Sequence, residues 1–147
     1  MMNNQETINL LNEAIKAEHQ AAYQYMNHYN NVRGKWTDVV DHFKDHMDDE
    51  IGHANELAQR IYTLGGIPDT TMKPVAEYTD DIEEALKQDI IGEQEAIDLY
   101  SKILKHCEEI DDIATTMMVE GILATEVSHL DEFAKIKRCS VVKQLQN

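Results

Sequence analysis

The chain has 147 residues, with 13 Lys and Arg against 28 Asp and Glu, so its formal net charge is −15. This length fits a single domain over residues 1–147, and so acidic a surface repels nucleic acid and anionic lipid while it attracts cations. No stretch approaches the ~18 consecutive apolar residues of a membrane span, and the amino terminus shows no secretory signal. Cys107 and Cys139 lie outside any Cys-x-x-Cys motif. The composition therefore favours a reducing cytoplasmic location and predicts neither a disulfide nor a thiolate zinc site.

Four proline-free runs carry helical periodicity, and they predict helices over about 5–33, 37–64, 80–107 and 111–138. Asn3 and Asp80 are each followed three residues later by a glutamate, which is the spacing of a helix N-cap. Gly34 and the acidic stretch 108–112 are short breaks, whereas 65–79 contains both prolines and is a long connection. This pattern predicts an all-α antiparallel four-helix bundle with a long crossover between helices 2 and 3 and a short C-terminal tail.

Each predicted helix carries one glutamate inside its apolar seam. The residues seven before and seven after that glutamate are apolar or aromatic in all four helices, and the glutamates are Glu18, Glu50, Glu93 and Glu126. Each glutamate lies within about two residues of the centre of its helix, where antiparallel helices share one layer. We therefore expect the four carboxylates to meet.

Two histidines accompany these glutamates. His53 follows Glu50 and His129 follows Glu126 by three positions, so each lies one helical turn further along the same inward face. Another glutamate precedes the first Glu-x-x-His by 32 residues and the second by 33. The two helix pairs are thus an approximate twofold repeat.

Four ionised carboxylates in a buried layer are strongly unfavourable, because desolvation and mutual repulsion both oppose them. Two divalent cations would balance the charge, with neutral imidazoles completing the coordination. Oxygen and nitrogen donors without thiolate indicate iron or manganese, although zinc or cobalt could occupy the same ligands. Such a pair would react with dioxygen or peroxide, or would only staple the fold.

Two tyrosines, Tyr25 and Tyr100, each lie seven residues after the leading glutamate of a helix pair. Packing alone explains both. A hydroxyl near the carboxylate layer could also hydrogen-bond a ligand, and Tyr25 is in addition a candidate electron donor.

Asp45, His46 and Asp49 form a small cluster upstream of Glu50. Solvation explains them, and the alternative is an accessory iron site. Four other histidines have no partner that the sequence identifies and are expected at the surface or at the edge of the core: His19, His28, His42 and His106.

These motifs resemble the ferritin-like superfamily, and most closely the bacterioferritins, through nearly the whole chain to about Phe133. The resemblance is carried by Glu18, Gln24-Tyr25 and the segments 49–54, 64–68, 89–93 and 126–129. It implies a ferroxidase that oxidises Fe(II) with dioxygen or peroxide for iron storage or detoxification. It also implies two iron ions per chain on the six Glu and His ligands, a short accessory site near Asp45 and Asp49, and assembly into a homo-oligomer.

Two departures from that family stand out. Bacterioferritins bind haem through a methionine directly after the second glutamate, whereas here the residue is Ile51, so no haem is expected. Only 18 residues follow His129, which leaves open a 24-subunit shell, a dimer or a smaller assembly. A rubrerythrin-like or manganese-catalase-like reaction with peroxide is the alternative enzyme, and a bundle merely stapled by metal is the alternative without turnover.

Overall fold

The computed structural model describes residues 4–33 and 37–146, with side chains for 4–33 and 38–138. It contains four helices: α1 (Gln5–Asn31), α2 (Thr37–Thr63), α3 (Ile82–Glu109) and α4 (Ile113–Gln146). No strand occurs in these ranges, so the predicted all-α class is confirmed. In the described part of the chain, no helix combines the length and the apolarity that crossing a bilayer requires.

Most helix bounds lie within two residues of the predicted ones, and two differences have a clear cause. Asp81, not Asp80, caps α3, because its side chain accepts a hydrogen bond from the backbone N–H of Glu84 at 2.9 Å. α4 continues to Gln146 where the sequence predicted a tail after 138. The reason is that no glycine or proline follows Gly121, so the sequence holds no strong stop signal there. The predicted cap at Asn3 and break at Gly34 lie outside the described residues.

Every packed pair of helices runs antiparallel. The start of α1 lies beside the ends of α2 and α3, since Asn4 Nδ2 donates to the Leu64 carbonyl at 3.5 Å and Thr7 Oγ1 lies 3.0 Å from His106 Nε2. α1 packs chiefly on α2, α3 packs chiefly on α4, and the α1–α3 and α2–α4 faces close the bundle. The long crossover therefore carries the chain from one end of the bundle to the other.

The crossover is fastened to α1 by side-chain hydrogen bonds to its backbone. Asn12 Oδ1 accepts from Asp69 N at 2.8 Å, and Gln24 Oε1 accepts from Ala76 N at 3.2 Å. These contacts hold the irregular segment 65–79 along the outside of the helix, close to the central layer.

Two apolar clusters flank the middle of the bundle. The lower cluster, at the end where α1 begins, is built around Leu11, Leu57, Ile103, Val119 and Ile122. The upper cluster, at the end where α1 finishes, is built around Tyr25, Phe43, Leu86 and Phe133. The predicted seam glutamates lie between the two clusters.

The turn after α2 depends on two glycines. Gly65 has a φ of +88°, which an L side chain rarely adopts. Gly66 donates its N–H to the Ile61 carbonyl at 2.9 Å and so closes the end of the helix. A Cβ at Gly66 would lie 2.7 Å from Ile8 Cγ2 and 3.1 Å from Ile61 Cγ2. This turn therefore packs directly on the lower cluster.

We expect Gly66→Ala to lower the free energy of unfolding by about 1–3 kcal/mol, the usual effect of overpacking a core. The control is Gly121→Ala, since a Cβ there meets no atom within 4 Å and alanine should stabilise α4 by about 1 kcal/mol. Denaturant midpoints of both variants provide the test, and equal shifts would contradict the packing argument.

Candidate metal centre

Six side chains from all four helices converge between the two apolar clusters. The four carboxylates are almost fully buried: Glu50 and Glu126 are 1% exposed, Glu18 is 2% exposed and Glu93 is 3% exposed. His53 and His129 are buried beside them. The sequence prediction named the same six residues, and the structure brings them together.

Two of the carboxylates are shared between the two histidines. Glu50 places Oε2 at 3.0 Å from His53 Nδ1 and Oε1 at 3.2 Å from His129 Nδ1. Glu126 places Oε1 at 3.3 Å from the first ring and Oε2 at 3.4 Å from the second. Each of these carboxylates thus offers one oxygen to each side of the centre, which is the arrangement of a bridging ligand.

The other two carboxylates each belong to one side. Glu18 Oε1 lies 3.7 Å from His53 Nδ1, and Glu93 Oε1 lies 3.2 Å from His129 Nδ1. Two donors that share a cation at about 2.1 Å each in tetrahedral geometry lie about 3.4 Å apart. The separations therefore match two adjacent groups of cation ligands, each with three carboxylate oxygens and one imidazole nitrogen.

Unsatisfied oxygens show that these residues fit cations. Among the described side chains, the buried atoms without a hydrogen-bond partner include Glu50 Oε1, Glu93 Oε2 and both carboxylate oxygens of Glu126. Buried polar atoms rarely lack partners in folded proteins. A cavity of about 60 Å³, lined in part by all four glutamates, adjoins these oxygens. This volume admits a few water-sized species.

Without cations, protons accumulate in this layer. Burial and the neighbouring Glu50 charge raise the pKa of Glu18 well above 4.5, and burial raises the pKa of Glu93 to about 7. Burial alone would lower the pKa of His53, but the carboxylates of Glu126, Glu18 and Glu50 around its Nδ1 raise it to about 12. Bound cations would displace these protons.

Each of the two tyrosines forms a hydrogen bond with a glutamate of the other helix pair. Tyr25 on α1 donates its hydroxyl hydrogen bond to Glu93 on α3, and Tyr100 on α3 donates to Glu18 on α1. Burial and the adjacent carboxylate charges raise the pKa of both phenols well above 10. Both therefore remain protonated donors. The sequence placed the tyrosines near the layer but did not reveal these hydrogen bonds.

A buried polar network that the sequence analysis missed lies in the upper half. His28 was expected at the surface or at the edge of the core, but it is 3% exposed, and its Nδ1 lies 2.8 Å from Asp89 Oδ2. Gln24 Nε2 donates to the other Asp89 oxygen at 2.9 Å. The available signal was the position of Asp89, four residues before Glu93 and thus on the same inward face.

The predicted accessory cluster is rearranged in the structure. Asp45, His46 and Asp49 line one hollow between α2 and α4. Of these, only His46 is buried, and it lies 3.1 Å from Glu132 Oε2. His42 also contacts Glu132, a partner that the sequence did not identify. Asp49 Oδ2 lies 2.9 Å from His129 Nε2, where a carboxylate orients a ligand ring.

Four antiparallel helices that surround a buried layer of shared carboxylates and imidazoles define a di-metal carboxylate bundle. The family model described as a ferritin-like domain matches residues 8–139. The chain therefore belongs to the ferritin-like family.

Individual relatives place it near the bacterioferritins. The bacterioferritin of Desulfovibrio desulfuricans is 33% identical over 132 residues, which cover 89% of this chain and 74% of that protein. Its crystal structure, described as showing the diiron site in different catalytic states, superposes with a TM-score of 0.87 at 32% identity, covering 97% and 82% of the two chains. The resemblance predicted from the motifs, including the iron-storage ferroxidase class, is confirmed at the level of the family.

Two further structures are similar over most of their length. A ferritin-like, diiron-carboxylate protein of Bacillus anthracis has a TM-score of 0.87 and 29% identity, with 92% of this chain and 99% of that chain covered. A dodecameric thioferritin of Bacteroides fragilis has a TM-score of 0.88 and 26% identity, with coverage of 97% and 91%. Both matches cover more than nine tenths of this chain.

We expect the stability of the metal-free protein to fall as the pH rises. Glu93 releases its proton near pH 7 when folded and near 4.5 when unfolded, so the folded state binds more protons across that interval. His53 acts in the same direction above 6.5, because its folded pKa is about 12. Denaturant unfolding at several pH values in the presence of chelator measures how the free energy of unfolding depends on pH. Bound Zn²⁺ should make that dependence weaker.

Two variants isolate the contribution of the centre to the pH dependence of the free energy of unfolding. Glu93→Gln removes one titrating group and should make the dependence shallower. Glu120→Gln, at an exposed position of α4, should leave it unchanged. A metal-free stability that is flat or rises between pH 4.5 and 7 would contradict the assignment of protons to this layer.

Proposed function

We propose that the chain is a ferroxidase that holds two iron ions on Glu18, Glu50, His53, Glu93, Glu126 and His129 and oxidises Fe(II) for iron storage or detoxification. The observation that carries this proposal is the pair of shared carboxylates, Glu50 and Glu126, each with one oxygen toward each histidine. Carboxylate and imidazole donors suit iron. Manganese and zinc are the alternative occupants of the same ligands.

The six residues would hold two Fe(II) ions, which would supply one electron each: dioxygen would take up two electrons and two protons to give hydrogen peroxide, and hydrogen peroxide would take up two electrons and two protons to give water. The shared carboxylates fix the spacing of the two positions. Tyr25 and Tyr100 hold Glu93 and Glu18 in place by donating hydrogen bonds. The flanking apolar clusters keep bulk water away from the layer.

Oxidation of both irons would change the charge balance of the centre. Four carboxylates neutralise two divalent ions, so oxidation of both irons leaves two positive charges uncompensated in a buried site. Such an excess is costly in a poorly solvated environment. Uptake of oxide or hydroxide from the reaction would neutralise this excess, so the site should favour the reaction of two Fe(II) ions with dioxygen or peroxide.

We propose that the protein works as a homo-oligomer. The thioferritin of Bacteroides fragilis is described as dodecameric. In this chain the α1–α2 hairpin leaves large apolar side chains exposed, with Tyr23 at 50%, Met26 at 37% and Ile51 at 50%. A second copy of the chain would cover such residues. Because Ile51 cannot ligate haem, the assembly is expected to form without it.

The central test is anaerobic Fe(II) addition followed by dioxygen. We expect ferric absorbance to develop rapidly up to two irons per chain. Glu93→Ala should slow it by at least about 100-fold, since removal of a ligand should exceed the 10–100-fold effect of losing a residue that only orients one. Glu120→Ala is the matched control at an exposed position, and both variants should retain the parent's helix content.

The same experiment separates the alternatives. Ferric mineral retained beyond two irons per chain, in an assembly seen by light scattering, selects storage. Rapid consumption of peroxide without retained iron selects a peroxidase or catalase. Tight binding with oxidation no faster than in buffer leaves a metal-stapled bundle, and unchanged kinetics in Glu93→Ala removes the ligand assignment.

A second prediction concerns the hydrogen bonds of the two tyrosines. Tyr25→Phe and Tyr100→Phe each remove one hydrogen bond to a terminal carboxylate, so both should slow Fe(II) oxidation by about 10–100-fold and keep a stoichiometry of two. If Tyr25 also donates an electron, single turnover should give an organic radical in the parent and in Tyr100→Phe but not in Tyr25→Phe. A radical in none of the three leaves Tyr25 a positioning residue.

A further inference from the structure

Outside the six central residues, three side chains from two helices form a compact donor set. His42 and His46 lie one turn apart on α2, and each contacts a different oxygen of Glu132 on α4. One nitrogen from each histidine and one carboxylate oxygen lie within 4.8 Å of one another. Two histidines at positions i and i+4 of a helix, joined by a carboxylate, form a common ligand arrangement for zinc and related divalent ions.

The geometry fits a cation that keeps open coordination positions. His46 Nε2 and Glu132 Oε2 are 3.1 Å apart, close to the ~3.4 Å between two donors on one tetrahedral cation. His42 and Glu132 are 38% and 33% exposed in their side chains, so water can complete the coordination. Asp45 and Asp49 line the same hollow and add negative charge.

His46 is unusual for a residue that only pairs with a surface carboxylate. Its side chain is 3% exposed, and its Nδ1 is buried without a hydrogen-bond partner. Its ring stacks on that of His129, with centroids 3.8 Å apart and planes at 16°. It also belongs to a second donor group with Glu93 and His129. The same imidazole therefore adjoins both the outer set and the buried centre.

The internal repeat shows that packing does not require a histidine here. His46 lies four residues before Glu50, and the equivalent residue four before Glu126 is Ile122. Ile122 is 2% exposed and belongs to the lower apolar cluster. An apolar residue thus fills the equivalent position in the other half, whereas the upper half buries a metal-binding side chain with an unsatisfied nitrogen.

We propose that His42, His46 and Glu132 form a third cation site for a divalent transition ion such as Fe²⁺ or Zn²⁺, separate from the two central positions. It shares His46 with the accessory cluster that the sequence suggested, but His42 and Glu132 replace Asp45 and Asp49 as the other ligands. The proposal does not depend on the oxidation chemistry, because it concerns binding at an independent set of side chains.

The test is a Zn²⁺ titration of the chelator-treated full chain at 0.15 M salt, with bound metal counted by equilibrium dialysis. We expect three tightly bound ions per chain in the parent and two in His42→Ala, whose replaced side chain is partly exposed and not part of the core. Glu132→Gln should also give two. The matched control is His19→Ala, which removes a histidine whose Nδ1 contacts the Thr71 carbonyl, and it should retain three.

One variant tests the third site independently of the two central metal positions. In Glu93→Ala the His42-dependent ion should still bind. The double variant Glu93→Ala with His42→Ala should therefore bind one Zn²⁺ fewer than Glu93→Ala alone. This difference does not depend on whether the protein oxidises iron. A parent that saturates at two ions, or an equal count in the parent and His42→Ala, overturns the proposal. Either outcome would leave the three residues as an ion-paired cluster.

Discussion

The burial of four carboxylates in one layer is the constraint on which the rest of this structure depends. Removing each ion from water costs several kcal/mol, and the four charges also repel one another. This unfavourable burial occurs at the middle of the bundle, where Glu50 and Glu126 have almost no contact with solvent. Only protons or cations can relieve it. The layer therefore lowers the stability of the metal-free protein and gives it an affinity for metal ions.

The same layer ties the two helix pairs together. The α1–α2 pair contributes Glu18, Glu50 and His53, and the α3–α4 pair contributes the equivalent set. Neither pair surrounds a complete ligand group, because each of the two groups contains both Glu50 and Glu126. The tyrosine hydrogen bonds also run from one pair to the other. Cation binding therefore requires the α1–α2 pair to pack against the α3–α4 pair. The long crossover between α2 and α3 permits that packing.

The sequence predicted the bundle, the crossover and all six central residues, because a polar residue in an apolar seven-residue pattern can be recognised from spacing alone. It did not predict the contacts that depend on reach between helices. Nothing in the spacing indicates that His28 meets Asp89 or that His42 and His46 share Glu132. Those contacts require the rotation of each helix and the side-chain rotamers, which periodicity does not determine.

Three departures from the internal repeat put a titratable side chain in the upper half of the bundle. Asp89, His28 and His46 lie in the upper half, and the equivalent positions in the lower half hold Ala14, Ile103 and Ile122. The two halves of the carboxylate layer thus have different surroundings even though their ligands match. Polar groups stabilise cations and protons in transit, whereas packed apolar side chains exclude them. Exchange with solvent should therefore occur through the upper half, while the apolar lower half supplies the packing that keeps the layer rigid.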